Sequence, residues 1–244
     1  MDGLFGKLGL YDFWGVFIAG LISLSAAVLM GSSTLLFDVV PKDHQLVAFL
    51  IESYFWGLVL RELSAFADSI CFHRQKKAQQ VFLNDLKNNP VIKNEIELEN
   101  YRTIALDICQ SSGNANFSEK EQEAVFLYCR SFIEVTKLDG KEKMHNSLLA
   151  MSRSLALFFA VLSLCYLGRL FASLYYMGNV MDVQALGAIA VKMFLPLVFA
   201  IIFYYRFSWL CRHRVTEVLR RYYALTKRAQ SDQMGVSPQS EIPS

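Results

Sequence analysis

Three ionisable side chains, Glu52, Arg169 and Lys192, stand inside long apolar runs of this 244-residue chain. A charge near the centre of a bilayer costs at least about 2.5 to 3.5 kcal/mol on insertion scales, so such residues face a helix bundle or an aqueous path and find partners. If the runs are spans, helix geometry sets Glu52 about 9 Å, Arg169 about 12 Å and Lys192 about 14 Å below one outer boundary. One reading is an intramembrane polar layer that lines a pore or gate, with Glu52 neutralising one base. The other is a structural ion pair that fixes helix packing while the second base reaches outward. Pro196 lies four residues after Lys192. A proline removes the hydrogen bond to the carbonyl four residues earlier, so a helix kink is expected where the charge sits. Broken helices at membrane depth are tolerated where they line a cavity or where neighbours satisfy the freed backbone.

Cys71 and His73 occur before Arg74, and Cys211 and His213 occur before Arg214, in near-matching strings. Two Cys and two His suggest zinc. Residues two apart on a helix point about 200° apart, so neither pair chelates one ion without unwinding, and neither a metal site nor a cofactor is expected. Gly3, Gly6 and Gly9 lack the strand-to-helix context and the Lys-Ser/Thr ending of a phosphate loop. There is no nucleophile elbow, no metalloprotease pair and no His set beside an acid, so nothing positive speaks for an enzyme.

Beyond Tyr205 the chain turns basic: Arg206, Arg212, Arg214, Arg220, Arg221, Lys227 and Arg228 stand against the single acid Glu217. Trp209, Leu210, Val215, Leu219 and Tyr222 are interleaved among them. The segment could lie on an anionic inner leaflet, with Arg206, Arg212, Arg214, Arg220 and Arg221 as the contacts. Equally, it could continue the last helix straight into a cytosolic bundle. A net charge of +2 gives no ground for nucleic-acid binding.

The elements that would position these residues follow from hydropathy. With 54% hydrophobic residues, the chain is too apolar for an ordinary soluble domain, and a bilayer absorbs the excess. The expected fold is all-α, with four transmembrane helices and a helical cytosolic domain between spans two and three. Residues 1–66 form a first transmembrane hairpin, with spans from Phe13 to about Phe37 and from about Leu46 to Phe66. Residues 67–148 form the cytosolic domain, 149–207 a second hairpin, 208–230 a basic cytosolic helix and 231–244 a disordered tail. Inside the cytosolic domain Asn88, Asn89 and Pro90 break one helix, and the cluster from Ser111 to Asn114 ends another that begins near Val91. Ser118 and Glu121 read as a capping box opening a third helix, with Val125, Phe126, Cys129, Phe132 and Ile133 at core spacing. Asp139 and Gly140 end it. A fourth starts near Lys141 and runs unbroken into the third span. The first span is too long for the core of a signal peptide and lacks a basic flank. Five irregularly spaced Cys are expected to be reduced.

Orientation follows from the 24 Lys and Arg residues. With both termini cytoplasmic, the outer loops hold only Lys42 and the spans hold Arg169 and Lys192, which satisfies the positive-inside rule. Loops at Lys42 and Asn179 are then outside. A homo-oligomer is expected, because four spans alone enclose no aqueous path. Besides the lipid bilayer, a cytosolic protein partner is expected through residues 71–144.

Two strings, Tyr11, Asp12, Phe13, Trp14, Gly15 before the first span and Met151, Ser152, Arg153, Ser154, Leu155, Ala156 before the third, resemble a group of small bacterial four-span inner-membrane proteins. Some of that group act as membrane effectors in anti-phage defence. Where such proteins often have Pro-Gly in the first span, this chain has Ala19 and Gly20. The resemblance implies a bacterial inner-membrane effector or sensor of antiviral defence that perturbs the membrane or conducts across it. Two alternatives stand beside it: a scaffold that anchors a cytosolic partner, and a channel or transport subunit resembling a motor stator in topology alone.

Overall fold

The computed structural model describes residues 10–30, 41–83, 95–109, 117–135, 140–176 and 183–233. All described elements are helical. In chain order they are α1 (Leu10–Leu29), a 3₁₀ turn (Lys42–His44), α2 (Gln45–Ala67), a π turn (Asp68–Phe72), α3 (Arg74–Gln80), α4 (Glu95–Cys109), α5 (Glu119–Val135), α6 (Gly140–Tyr176) and α7 (Val183–Gln233). The expected end of the first span at Phe37 and the break at Asn88, Asn89 and Pro90 lie outside the described residues. So do the helix start at Val91, the Ser111 to Asn114 cluster, Asp139 and the connection through Asn179. The chain divides into two compact units, Met1–His73 with Glu142–Leu210, and Arg74–Lys141 with Cys211–Ser244.

In the first unit α1 and α2 pack through small residues. On α1 the buried positions Gly15, Val16, Ala19, Gly20, Ser23 and Leu24 recur every three or four residues, the spacing of one helix face. On α2 the buried positions are Ala48, Glu52, Ser53, Gly57, Leu60 and Ser64. Two glycines set the separation. A Cβ at Gly20 would land on the Ser53 carbonyl oxygen, and one at Gly57 on the Val16 carbonyl oxygen. Small residues let the helix backbones approach this closely, as they do where lipid rather than water surrounds a bundle. The outward face of α2 carries the bulk instead: Val47, Ile51, Phe55, Leu63 and Phe66 are exposed.

Two helices are long and apolar enough to cross a membrane, through Met144–Ser173 of α6 and Gly187–Lys227 of α7, and Phe13–Leu29 of α1 is a shorter apolar stretch. Phe159 of α6 stacks on Phe203 of α7, ring centroids 5.9 Å apart, in a cluster with Ala19, Leu155 and Ala200. The Tyr166 hydroxyl donates to the Met30 carbonyl at 2.8 Å, tying α6 to the end of α1.

The second unit has its own core, built from Tyr101, Ile104 and Ala105 of α4, Val125, Phe126, Cys129 and Ile133 of α5, and Val215, Val218 and Leu219 of α7. The capping box at the start of α5 forms as the sequence predicts: the Ser118 amide donates to Glu121 Oε2 at 2.7 Å, and the Glu121 amide to Ser118 Oγ at 3.3 Å. Gln122 is fully buried. Its side-chain oxygen accepts from the Leu83 amide at 2.9 Å and its Nε2 donates to the Phe117 carbonyl at 3.1 Å, so one side chain satisfies the backbone of two irregular segments.

Three details differ from expectation. Gly140 is already the first residue of α6, one before the expected start near Lys141, and the residues between Val135 and Gly140 lie outside the described ones. Phe132 is 39% exposed and packs edge-on against Tyr222 at the margin of the core. α7 continues through Ser231 to Gln233, and the remaining tail lies outside the described residues. The long α6, from Gly140 to Tyr176, matches the unbroken helix read from the sequence.

Candidate functional site

Glu52 lies on the buried face of α2 beside Ser53. Arg169 and Lys192 are exposed on α6 and α7. Among the described residues neither base forms an ion pair with Glu52 or with any other carboxylate. Arg169 instead sets its guanidinium 5.5 Å from the centre of the Tyr166 ring, a cation–π contact that attracts the charge without neutralising it. The three residues singled out by depth thus divide into one buried acid and two outward-facing bases.

Pro196 is fully buried inside α7. Its ring withdraws one donor from the helix and crowds the carbonyls of the turn before it. The Ser163 hydroxyl of α6 donates to the carbonyl of Met193, three residues before the proline, at 3.1 Å. A neighbouring helix therefore satisfies part of the disturbed turn, which is how a proline is accommodated where water is absent. Ser163 is not among the residues the sequence singles out. Its only signal there is a lone hydroxyl among Val161, Leu162 and Leu164.

The basic segment after Tyr205 is the C-terminal part of α7, continuous with the apolar part. Arg206 is exposed, and Arg212 and Arg214 are half-buried. Arg220 reaches Glu97 of α4, with Nη2 at 2.8 Å and Nε at 3.0 Å from Oε1. Arg221 pairs with Glu217 at 3.1 Å along the helix. Tyr101 donates to the same Glu97 oxygen at 2.5 Å. Burial raises the Glu97 carboxyl, but the Tyr101 hydroxyl, the Arg220 hydrogen bonds and the Arg220 charge outweigh it and hold Glu97 below the ordinary carboxylate value. Burial and the adjoining carboxylate together raise the Tyr101 hydroxyl, which stays a donor. This three-membered network escapes a reading of the sequence because Glu97 and Arg220 are 123 positions apart.

All five Cys are free thiols. Cys71 is exposed and belongs to the π turn, which His73 closes in a left-handed conformation (φ 49°) by donating its amide to the Asp68 carbonyl at 2.7 Å. Cys211 is buried. Burial pushes the Cys129 thiol up to about 12, so it remains a protonated core side chain. Among the described residues no group of three or more His, Cys, Asp or Glu side chains gathers in a way that could hold a metal ion. A cavity of the first unit brings together Ser64, Asp68 and Arg153, none of which stands out as a site residue in the sequence.

What the arrangement offers is two exposed cations on apolar helices, one buried acid, and a proline turn braced from the next helix. No protein family, curated protein or solved structure matches this chain.

Proposed function

We propose that the chain is a four-span, non-enzymatic protein of the bacterial inner membrane, with both termini cytoplasmic, that works as a homo-oligomeric membrane effector or sensor. The observation that carries the proposal is the exposure of Arg169 and Lys192 on apolar helices, with no carboxylate partner among the described residues. In lipid that arrangement is costly for a monomer. It is relieved when copies assemble so that the bases face a neighbouring subunit or a water-filled path, where positive charge favours the passage of anions.

The inside-out character of α2 supports four spans. Its buried face is small and polar and its exposed face large and apolar, the reverse of a helix on a water-soluble core. Its 23 residues give about 35 Å of helix, enough to cross the hydrocarbon. α7 is a single helix whose apolar part belongs to the first unit and whose basic part belongs to the second, so a signal received by the second unit has a continuous helix along which to reach the spans. The resemblance noted above supports a role in antiviral defence, in which such an effector perturbs the membrane or conducts across it.

The test is disulfide crosslinking in native membranes. Lys192→Cys on α7 crosslinks copies of the chain, whereas Cys introduced at the buried Leu155 does not. Absence of any self-crosslink at position 192 or its exposed neighbours Val191 and Leu195 sinks the oligomeric effector.

The scaffold reading has one observation in its favour. Leu127, Tyr128 and Val135 on α5 are exposed apolar residues, a surface suited to a cytosolic protein. Under that reading Leu127→Asp abolishes function, and Lys192→Leu is silent.

A further inference from the structure

The second unit holds a cavity of about 420 Å³ between α4 and the basic part of α7, within the size range of sites that bind small molecules. All of its lining residues belong to that unit. On α4 they are Asn100, Thr103, Ile104 and Asp107, the spacing of one helix face, and on α7 they include Tyr223 and Lys227. Ile104 is 7% exposed and forms an apolar floor, while Thr103, Asp107 and Lys227 are exposed at the rim. Glu97 and Arg220, joined by hydrogen bonds, precede the cavity on both helices. Asp107 and Lys227, the last lining residue of each, therefore stand together at the far end.

Neither charge at this end is paired. Among the described residues Asp107 takes part in no hydrogen bond or ion pair. Lys227 has no carboxylate partner among them either; its Nζ lies 4.8 Å from the centre of the Tyr223 ring, a contact that attracts the charge without neutralising it. The three N–H donors of the ammonium remain available for a ligand. The cavity thus combines an acid and a base that do not bind each other with an apolar floor beside them.

We propose that this cavity binds a free α-amino acid with a large apolar side chain, its ammonium on Asp107, its carboxylate on Lys227 and its side chain over Ile104. Charge balance selects the class. An α-amino acid carries both charges on one carbon, so a single small molecule meets an acid and a base that share one end of the cavity. A phosphate or a simple carboxylate would meet Lys227 but bring its charge up against Asp107, and a simple amine would do the reverse, so like charges at short range disfavour both. The apolar side chain displaces water from Ile104, which is favourable. The site goes beyond the membrane reading above and does not rest on it, because both of its helix faces belong to the second unit.

The experiment is equilibrium dialysis of the full chain in detergent with labelled phenylalanine. The competitors are unlabelled phenylalanine, phenylpropanoate, which lacks the ammonium, and phenethylamine, which lacks the carboxylate. Each single-charge analogue competes about fivefold less well than phenylalanine, the upper limit for an exposed ion pair. Asp107→Asn weakens phenylalanine by about the same factor and leaves phenylpropanoate no weaker, and Lys227→Gln weakens phenylalanine and spares phenethylamine. Both substitutions lie at the exposed rim, where they leave the core intact. Thr103→Trp, also at the rim, covers the floor and removes binding of all three ligands. Absence of saturable phenylalanine binding at millimolar concentration overturns the proposal, as does equal competition by the three ligands or a wild type that prefers either analogue. Phenylalanine binding that both Asp107→Asn and Lys227→Gln leave unchanged also overturns it, since the ligand then sits elsewhere. None of these outcomes bears on the effector reading, which stands or falls on the self-crosslink at position 192.

Discussion

The Ser163 hydroxyl donates to the Met193 carbonyl at 3.1 Å, one turn before Pro196. The bond joins α6 to α7 in the turn before the proline, so its contribution should depend on the backbone disturbance that the proline makes. Ser163→Ala should lower stability by about 0.6 kcal/mol, the average measured for interhelical side-chain bonds in lipid, and by no more than about 1.7 kcal/mol. In a Pro196→Ala background the helix can straighten, and the Leu197 amide can close a well-formed bond to the Met193 carbonyl. The same serine substitution should then cost much less. Thermal melting in detergent of the four proteins in this cycle measures the coupling. Additive losses would show that the serine does not act on the proline turn.

Gly57 controls the separation of α1 and α2. Gly57→Leu places a side chain against the Val16 carbonyl oxygen and should destabilise the hairpin by about 1 to 3 kcal/mol or more, since neither backbone can retreat without losing its other contacts. Gly57→Ala should be milder. Proteolytic susceptibility of membranes carrying each variant reports the difference, and equal resistance of Gly57→Leu and wild type would contradict the close packing.

Glu97 predicts a pH dependence with a definite sign. Its folded value lies below the ordinary 4.5 because the Tyr101 and Arg220 contacts outweigh burial. Its contribution is therefore present above that ordinary value and is lost as pH falls through the depressed folded value. The melting temperature of the wild type should drop between about pH 5 and pH 3, while Glu97→Gln should start lower at neutral pH and change less across that window. Parallel curves would show that Glu97 does not carry the acid response.

The cap of α5 offers a local test. Ser118→Ala removes the acceptor for the Glu121 amide and should cost about 0.5 to 2 kcal/mol. Hydrogen exchange of the amides of the first turn of α5 should accelerate, with that of α4 changing far less. Unchanged exchange at those amides would mean that the serine hydroxyl contributes nothing to the cap.

These features differ in how visible they are in the sequence. The Ser118 and Glu121 cap, the continuity of α6 and the core positions Val125, Phe126, Cys129 and Ile133 are legible because each depends on residues within a turn or two. The apolar run lengths make the positions of Glu52, Arg169 and Lys192 along their helices equally plain. Which way each side chain faces is not, since that is set by the neighbouring helix: Glu52 is turned inward with the small residues Ala48, Ser53 and Gly57, while the two bases point out. Gln122 reads as one more polar residue near a helix start, and its burial depends on the Leu83 amide 39 positions away. Ser64, Asp68 and Arg153 each look like ordinary helix-end residues, and only their convergence makes a cavity of them.

The central claim is that the outward-facing bases serve passage across, or disruption of, the membrane. Its most direct test is controlled overexpression in bacteria with a membrane-potential dye, comparing wild type, Lys192→Leu and Glu52→Gln at matched protein levels. The wild type should depolarise the membrane in the presence of its activating partner. Lys192→Leu should lose that response although the protein still inserts and assembles, whereas Glu52→Gln, at a buried position that pairs with neither base, should keep it. Equal responses from all three proteins, or none from the wild type with its partner present, would contradict the claim.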